Sequence, residues 1–144
     1  MTTRSTPDLE ERISFARRWA AASPFYQQMG ISVDSLEEAR AILRLDATGA
    51  HLNADGIVHG GVLPSLADAA MGCALRTLHG DAAQLLTIES NLRYVRPASA
   101  GPVAAYGRVV QAHRSVAFTE VEIIDGEERL LARGGGTFLL RMDE

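Results

Sequence analysis

Apolar residues in the first thirty positions recur at helical spacing. Leu9, Ile13, Ala16 and Ala20 form one stripe, and Arg12, Arg17 and Arg18 fill the other faces. Asp8 can cap this helix, and Glu10 and Glu11 give its first turn the charge that a helix start favours. Ser23-Pro24 predicts its interruption and Gly30 a second break. Residues 31–36 and 39–46 then read as two strands; in the second, Ala41, Leu43 and Leu45 alternate with Ile42 and Arg44. A loop over 47–58 carries His51, Asn53, Asp55 and Gly56.

The strongest pattern follows. From Gly61 to Leu78, the residues Leu63, Leu66, Ala67, Ala70, Met71, Ala74, Leu75 and Leu78 keep the i, i+3, i+4 rhythm of a helix. Its other side is small or apolar (Val62, Ser65, Ala69, Gly72, Cys73), with Arg76 near the end, so the helix is expected to be buried. Glycine at 80 supplies the stop. Strands are predicted over 85–95, 103–111, 116–124 and 129–141, separated by Pro97 and Gly101-Pro102, by His113-Arg114, and by an Asp125-Gly126 hairpin signal. Gly134-Gly135-Gly136 predicts a bulge or a close backbone approach in the last of them.

One buried helix against a curved antiparallel sheet is an α+β layer solution. Such a sheet keeps an outer face and free edges, and dimerisation is the simplest way to cover them. The 144 residues suffice for one domain, with 1–29 as an N-terminal helical segment and a polar stretch at 1–7 expected to fray. The net charge of -4 argues against a nucleic-acid binder. No apolar run reaches a membrane span and no leader pattern opens the chain, so the expectation is a cytoplasmic protein. Cys73, alone, excludes an internal disulfide and a Cys-rich zinc site; no metal site is expected.

The chemistry concentrates between His51 and Asp68. His59-Gly60-Gly61 stands where the long helix begins, where unpaired N–H groups can cradle an oxyanion and glycines let a substrate come close. Asp68 lies inside the same helix, a poor place for an unpartnered carboxylate. A helical wheel puts it about 110° from the centre of the apolar stripe and within about 20° of Gly61. His51 reads as a loop residue, His79 as part of the helix end and His113 as a turn residue; Glu89 and Glu120 read as exposed strand positions, and Cys73 as packing.

The run Asn53-x-x-Gly56-x-x-His59-Gly60-Gly61, followed by Leu66-Ala67-Asp68, resembles the hotdog-fold acyl-CoA thioesterases of the phenylacetic-acid-degradation (PaaI-like) type. The segment from Thr87 through Asn91, Tyr94 and Pro97, and the closing Gly136-Thr137-Phe138-Leu139-Leu140, are similar to that family as well. The resemblance implies a single hotdog domain that hydrolyses a thioester to free CoA and an acid. It implies Asp68 as nucleophile or general base, and Gly60 N–H as the group that polarises the carbonyl. His59 and Asn53 would hold the loop and orient carbonyl or water, and Thr87 would assist the nucleophile. Gly61 would share the substrate cradle. Arg114 sits where the family often places a CoA contact; a net-negative chain needs some such local basic patch, and Arg93 and Arg96 stand behind Arg114 as candidates. CoA is part of the substrate, and no separate cofactor is implied.

Eight residues of helix separate Gly60 from Asp68 by roughly 12 Å along the axis. One thioester cannot meet both on one helix, so the expected site takes Gly60 from one protomer and Asp68 from another, in a homodimer or a homotetramer built as a dimer of dimers. The alternatives are a hotdog hydratase or dehydratase, with His59 at the reacting carbon, and a non-catalytic acyl-CoA-binding module.

Overall fold

A computed structural model describes residues 7–142. The expected frayed segment therefore lies almost wholly outside the described residues. Helix α1 (Leu9–Ala21) starts from a reciprocal cap: Asp8 accepts from the Glu11 N–H, and Glu11 accepts from the Asp8 N–H. Helix α2 (Pro24–Met29) follows Ser23, whose hydroxyl caps it, and closes at Gly30 in the left-handed region, φ 78°. Strands β1 (Ile31–Glu37) and β2 (Arg40–Ala47) form a hairpin. After a single 3-10 turn (Gly49–His51) comes the long helix α3 (Val62–His79). Strands β3 (Ala83–Tyr94), β4 (Gly101–Ala112), β5 (Val116–Asp125) and β6 (Leu130–Met142) complete the chain.

The six strands make one antiparallel sheet in the order β1-β2-β4-β5-β6-β3, and α3 packs across it. Leu66, Met71 and Leu75 of α3 are fully buried against Leu43 and Leu45 of β2, Val103 of β4 and Ile123 of β5. Each such side chain contributes about 1.5–3 kcal/mol relative to exposure. This is the α+β helix-on-sheet layout expected from the hydrophobic pattern.

The structure corrects or sharpens several expectations. The four C-terminal strands are not a simple run: β3 pairs with β6 at the sheet edge, and β4 pairs with β2 and β5. The connection over 95–100 crosses two strands, about 14 Å at sheet spacing, and its extended chain reaches about 20 Å. It is anchored on the way by the Val95 and Arg96 N–H groups on the Leu131 carbonyl and by the Val58 N–H on the Ala98 carbonyl.

The glycine triplet, secondly, is a close approach and not a bulge. A Cβ at Gly134 would stand 2.0 Å from the Asn91 carbonyl oxygen, and one at Gly136 would stand 3.1 Å from the Met71 methyl. The bulge lies in the facing strand, between Thr87 and Glu89.

Arg76, finally, is part of the buried side of its helix: it is 7% exposed. Its guanidinium stacks on Trp19 and Phe15 and donates from one nitrogen to the Gly80 and Ala83 carbonyls, so an aromatic lid and two backbone acceptors offset part of its burial. The Asp125-Gly126 turn forms, though as a wider loop in which the Asp125 carboxylate accepts from the Glu127 and Arg129 N–H groups and Glu128 takes the positive φ.

Candidate active site

Two constellations face each other along α3 and β3. In the first, the Thr87 hydroxyl donates to Oδ1 of Asp68 at 2.8 Å. Asp68 is half-buried at the margin of the core face of α3, as the helical wheel predicts. One carboxylate oxygen is steadied by a donor from the sheet, and Oδ2 is left for another partner.

The second constellation is built on the approach to α3. The His59 carbonyl accepts from the Val62 N–H at 2.9 Å, opening the helix. Peptide planarity then turns the Gly60 N–H, on the other side of that peptide, away from the helix. The next peptide is held at both ends. Its carbonyl, on Gly60, accepts from the Tyr94 hydroxyl, and its N–H, on Gly61, donates to Nδ1 of His59 at 2.8 Å. Of the polar groups on these two peptides, the Gly60 N–H alone makes no hydrogen bond among the described residues. A side chain at Gly61 would press on the His59 ring, 3.2 Å from Nδ1.

Loop 47–58 frames this turn. His51 accepts the Thr48 N–H at Nδ1 and binds the Met29 carbonyl through Nε2, tying the loop to α2. Its carbonyl receives the His59 N–H. Asn53 Oδ1 accepts from the Asp55 and Ile57 N–H groups, which rounds the loop over 53–57. Asn53, Gly60, Leu63, Tyr94 and Arg96 then line one cleft of about 380 Å³. Pro64, Ala67, Met71, Leu92 and Tyr94 line a smaller one of about 140 Å³ between α3 and β3.

The structure thus brings Asp68 to Thr87, and His59, Gly60 and Gly61 to one turn beside Asn53 and Arg96. Arg93 is exposed and pairs in register with Arg133, on the sheet face away from α3. Arg114 is exposed in the β4–β5 turn. Leu63 and Met71 line these clefts, while Tyr26 is buried and Phe25 is exposed. Tyr94 carries the one site contact that the sequence reading passed over. Its only signal was an aromatic residue within the Asn91–Pro97 motif, 34 residues from its partner.

Burial pushes the Tyr94 phenol above its ordinary value, so it stays a protonated donor. Burial also raises the Cys73 thiol to about 12, with Arg76 opposing and Asp68 reinforcing the shift. Such a thiol is not a nucleophile at neutral pH. Among the described residues, no group of His, Cys, Asp and Glu is arranged to hold a metal ion, and no helix is long and apolar enough to cross a membrane.

Residues 55–132 match the thioesterase superfamily, and the chain belongs to that family. Among solved structures it is similar to a conserved protein from Pseudomonas aeruginosa, with 34% identity, TM-score 0.81, and coverage of 86% of this chain and 98% of that one. A mutant form of the phenylacetic acid degradation protein PaaI from Thermus thermophilus shares 31% identity at TM-score 0.75, over 81% of this chain and 98% of that one. The PaaI protein of Escherichia coli superposes with TM-score 0.83 at 22% identity, over 90% and 93% of the two chains, a likeness of fold. The fold is therefore the hotdog, of PaaI-like type, and the family supports a thioesterase or esterase activity, that of a hydrolase.

Proposed function

We propose that the protein is an acyl-CoA thioesterase whose site is completed by a second copy of the chain. The observation that carries this reading is the Gly60 N–H, left unpaired at the mouth of α3 while its neighbours are all engaged. That group polarises the thioester carbonyl and holds the charge that develops on its oxygen. Asp68, steadied by Thr87, either attacks the carbonyl carbon or takes a proton from the water that attacks it. The C–S bond breaks and the departing thiolate takes up the proton that water supplies, so CoA leaves as the thiol. Where Asp68 itself attacks, water then hydrolyses the mixed anhydride it forms, and on either route the acid is released and Asp68 is left as a carboxylate.

Homodimerisation supplies what one helix lacks. Among the described residues strand β3 ends the sheet with no neighbour on its outer side; it exposes Leu86, Ile88 and Tyr94, and Val95 just beyond it is exposed as well. An exposed edge of that length invites pairing with another strand, and a twofold axis there brings Asp68 of one α3 toward Gly60 of the other. A homotetramer then arises as a dimer of such dimers. Arg96, at the rim of the cleft that holds Gly60, and Arg114, on its turn, are the candidates for the CoA phosphates. His59 spends its Nδ1 on the Gly61 N–H, which leaves it poorly placed as the base of a hydratase.

The test is free-thiol release from a panel running from acetyl- to decanoyl-CoA, with benzoyl- and phenylacetyl-CoA included. Turnover of at least one ester, and a loss of about a hundredfold or more in Asp68→Asn with the oligomer retained, is expected. Absence of thiol release across the panel would reject the enzyme in favour of a binding module. Near-normal turnover in folded Asp68→Asn would remove Asp68 from the mechanism.

A further inference from the structure

Tyr94 belongs to neither constellation as the sequence defines it, yet it joins them. It sits at the end of β3, the strand that carries Thr87, and its hydroxyl reaches the Gly60 carbonyl. It also stands in both clefts, and a Cβ on Gly60 would lie 3.9 Å from its oxygen. A glycine pair preceding a helix has little intrinsic hold on its own peptide planes, because no Cβ restricts its φ and ψ. Here the plane between Gly60 and Gly61 is fixed from outside by two side chains, Tyr94 at its oxygen and His59 at its nitrogen.

We propose that Tyr94 is a positioning residue, which aims the Gly60 N–H at the substrate carbonyl by clamping the adjoining peptide. The inference rests on the thioesterase reading above. Tyr94 need not touch the reacting atoms. Its hydroxyl donates to the carbonyl of Gly60, and rotation about the Gly60 Cα is the motion that would otherwise swing the N–H off line. His59 acts on the same peptide from its other end, so the two side chains form one clamp, and loosening either releases the same freedom.

The experiment compares Tyr94→Phe, His59→Ala and the double variant. Phenylalanine keeps the ring that walls both clefts and removes only the donor. For the best ester of the panel, kcat is expected to fall about 3–10-fold in Tyr94→Phe, the worth of one neutral hydrogen bond, with KM within about twofold of wild type. The double variant should be little worse than the poorer single variant, since both act on one peptide. Independently of turnover, backbone 15N order parameters of Gly60 and Gly61 should drop in Tyr94→Phe from the rigid range near about 0.85 toward the flexible range below about 0.6, while α3 stays unchanged.

Unchanged order parameters at both glycines, or an unchanged kcat beside an active wild type, would overturn the proposal, as would fully multiplicative losses. A wild type that hydrolyses no ester would fail the thioesterase reading instead, and the order parameters would still decide whether the clamp exists.

Discussion

Thr87→Val is the sharpest perturbation of the carboxylate. Valine has nearly the shape of threonine, keeps the β-branched side chain that an extended strand favours, and replaces only the hydroxyl. What is lost is the 2.8 Å bond to Oδ1 of Asp68. A hydrogen bond to a charged group is worth about 1.5–3 kcal/mol net. Thr87 is exposed in the single chain, so water can replace its hydroxyl there and the lower figure applies, about twelvefold in rate. If a partner chain excludes that water the loss approaches the upper figure, about 150-fold. The loss should appear in kcat, because Thr87 holds the enzyme's own carboxylate and not the substrate. Thr87→Ser retains the donor and should stay within a few-fold of wild type. Thiol release measured alongside thermal melting separates chemistry from unfolding. Wild-type kcat in Thr87→Val would refute the reasoning, and so would an equal loss in Thr87→Ser.

Arg96→Ala should raise KM for the CoA ester more than it lowers kcat, and Arg93→Ala, on the far face of the sheet, should do neither; an effect of Arg114→Ala alone would move the CoA contact to the β4–β5 turn. Mixing Asp68→Asn chains with Asn53→Ala chains should restore activity, up to about half of wild type per heterodimer if the two sites act independently, because one shared site then carries both lesions and the other neither. No rescue in a verified heterodimer would place both residues in one chain's site. Cys73, with its thiol raised to about 12 by burial, should resist a thiol reagent at pH 8 in the folded protein and react at once in denaturant; rapid modification of the native form would contradict its burial.

The local half of this molecule is legible in its sequence. The α3 stripe, the Asp8 cap, the Gly30 and Gly80 stops, and the coincidence of Gly60-Gly61 with Asp68 all depend on residues within a turn or two of one another. What escaped is non-local. Nothing in the spacing of Pro97 and Gly101-Pro102 tells whether β4 folds back beside β3 or crosses to β2. That choice is made by α3, which covers the sheet and needs β2 and β4 side by side beneath it. The setting of Arg76 escaped for a similar reason: its helical position gives no hint that Trp19 and Phe15, on a different helix, will roof it. The glycine triplet signals a bulge or a close approach and is the close approach, while the bulge sits at Ile88, where the sequence is ordinary.

That bulge is what makes the site possible. Thr87 and Tyr94 are an odd number of residues apart, so in a regular strand they would point to opposite faces. The extra residue at Ile88 restores the parity. Thr87 pairs with Phe138 and Tyr94 with Ala132, positions six apart on β6 that are both buried under α3. Both hydroxyls therefore face the helix, one to meet Asp68 and the other the Gly60 carbonyl. Ile88 is 59% exposed and has no core packing to lose. Within the chain the distortion falls in an edge strand, where one ladder accommodates it. Opposite the stretch that follows the bulge stand Gly136, Gly135 and Gly134, paired with Ser90, Asn91 and Leu92. The missing side chains of Gly134 and Gly136 let the β3 backbone come close to β6, Gly136 also admits Met71 of α3, and Gly135 lies close against Thr119 of β5. The glycine triplet and the bulge are thus two halves of one device. Gly134 and Gly136 bring the edge strand close to β6, and the bulge turns its hydroxyls toward Asp68 and Gly60.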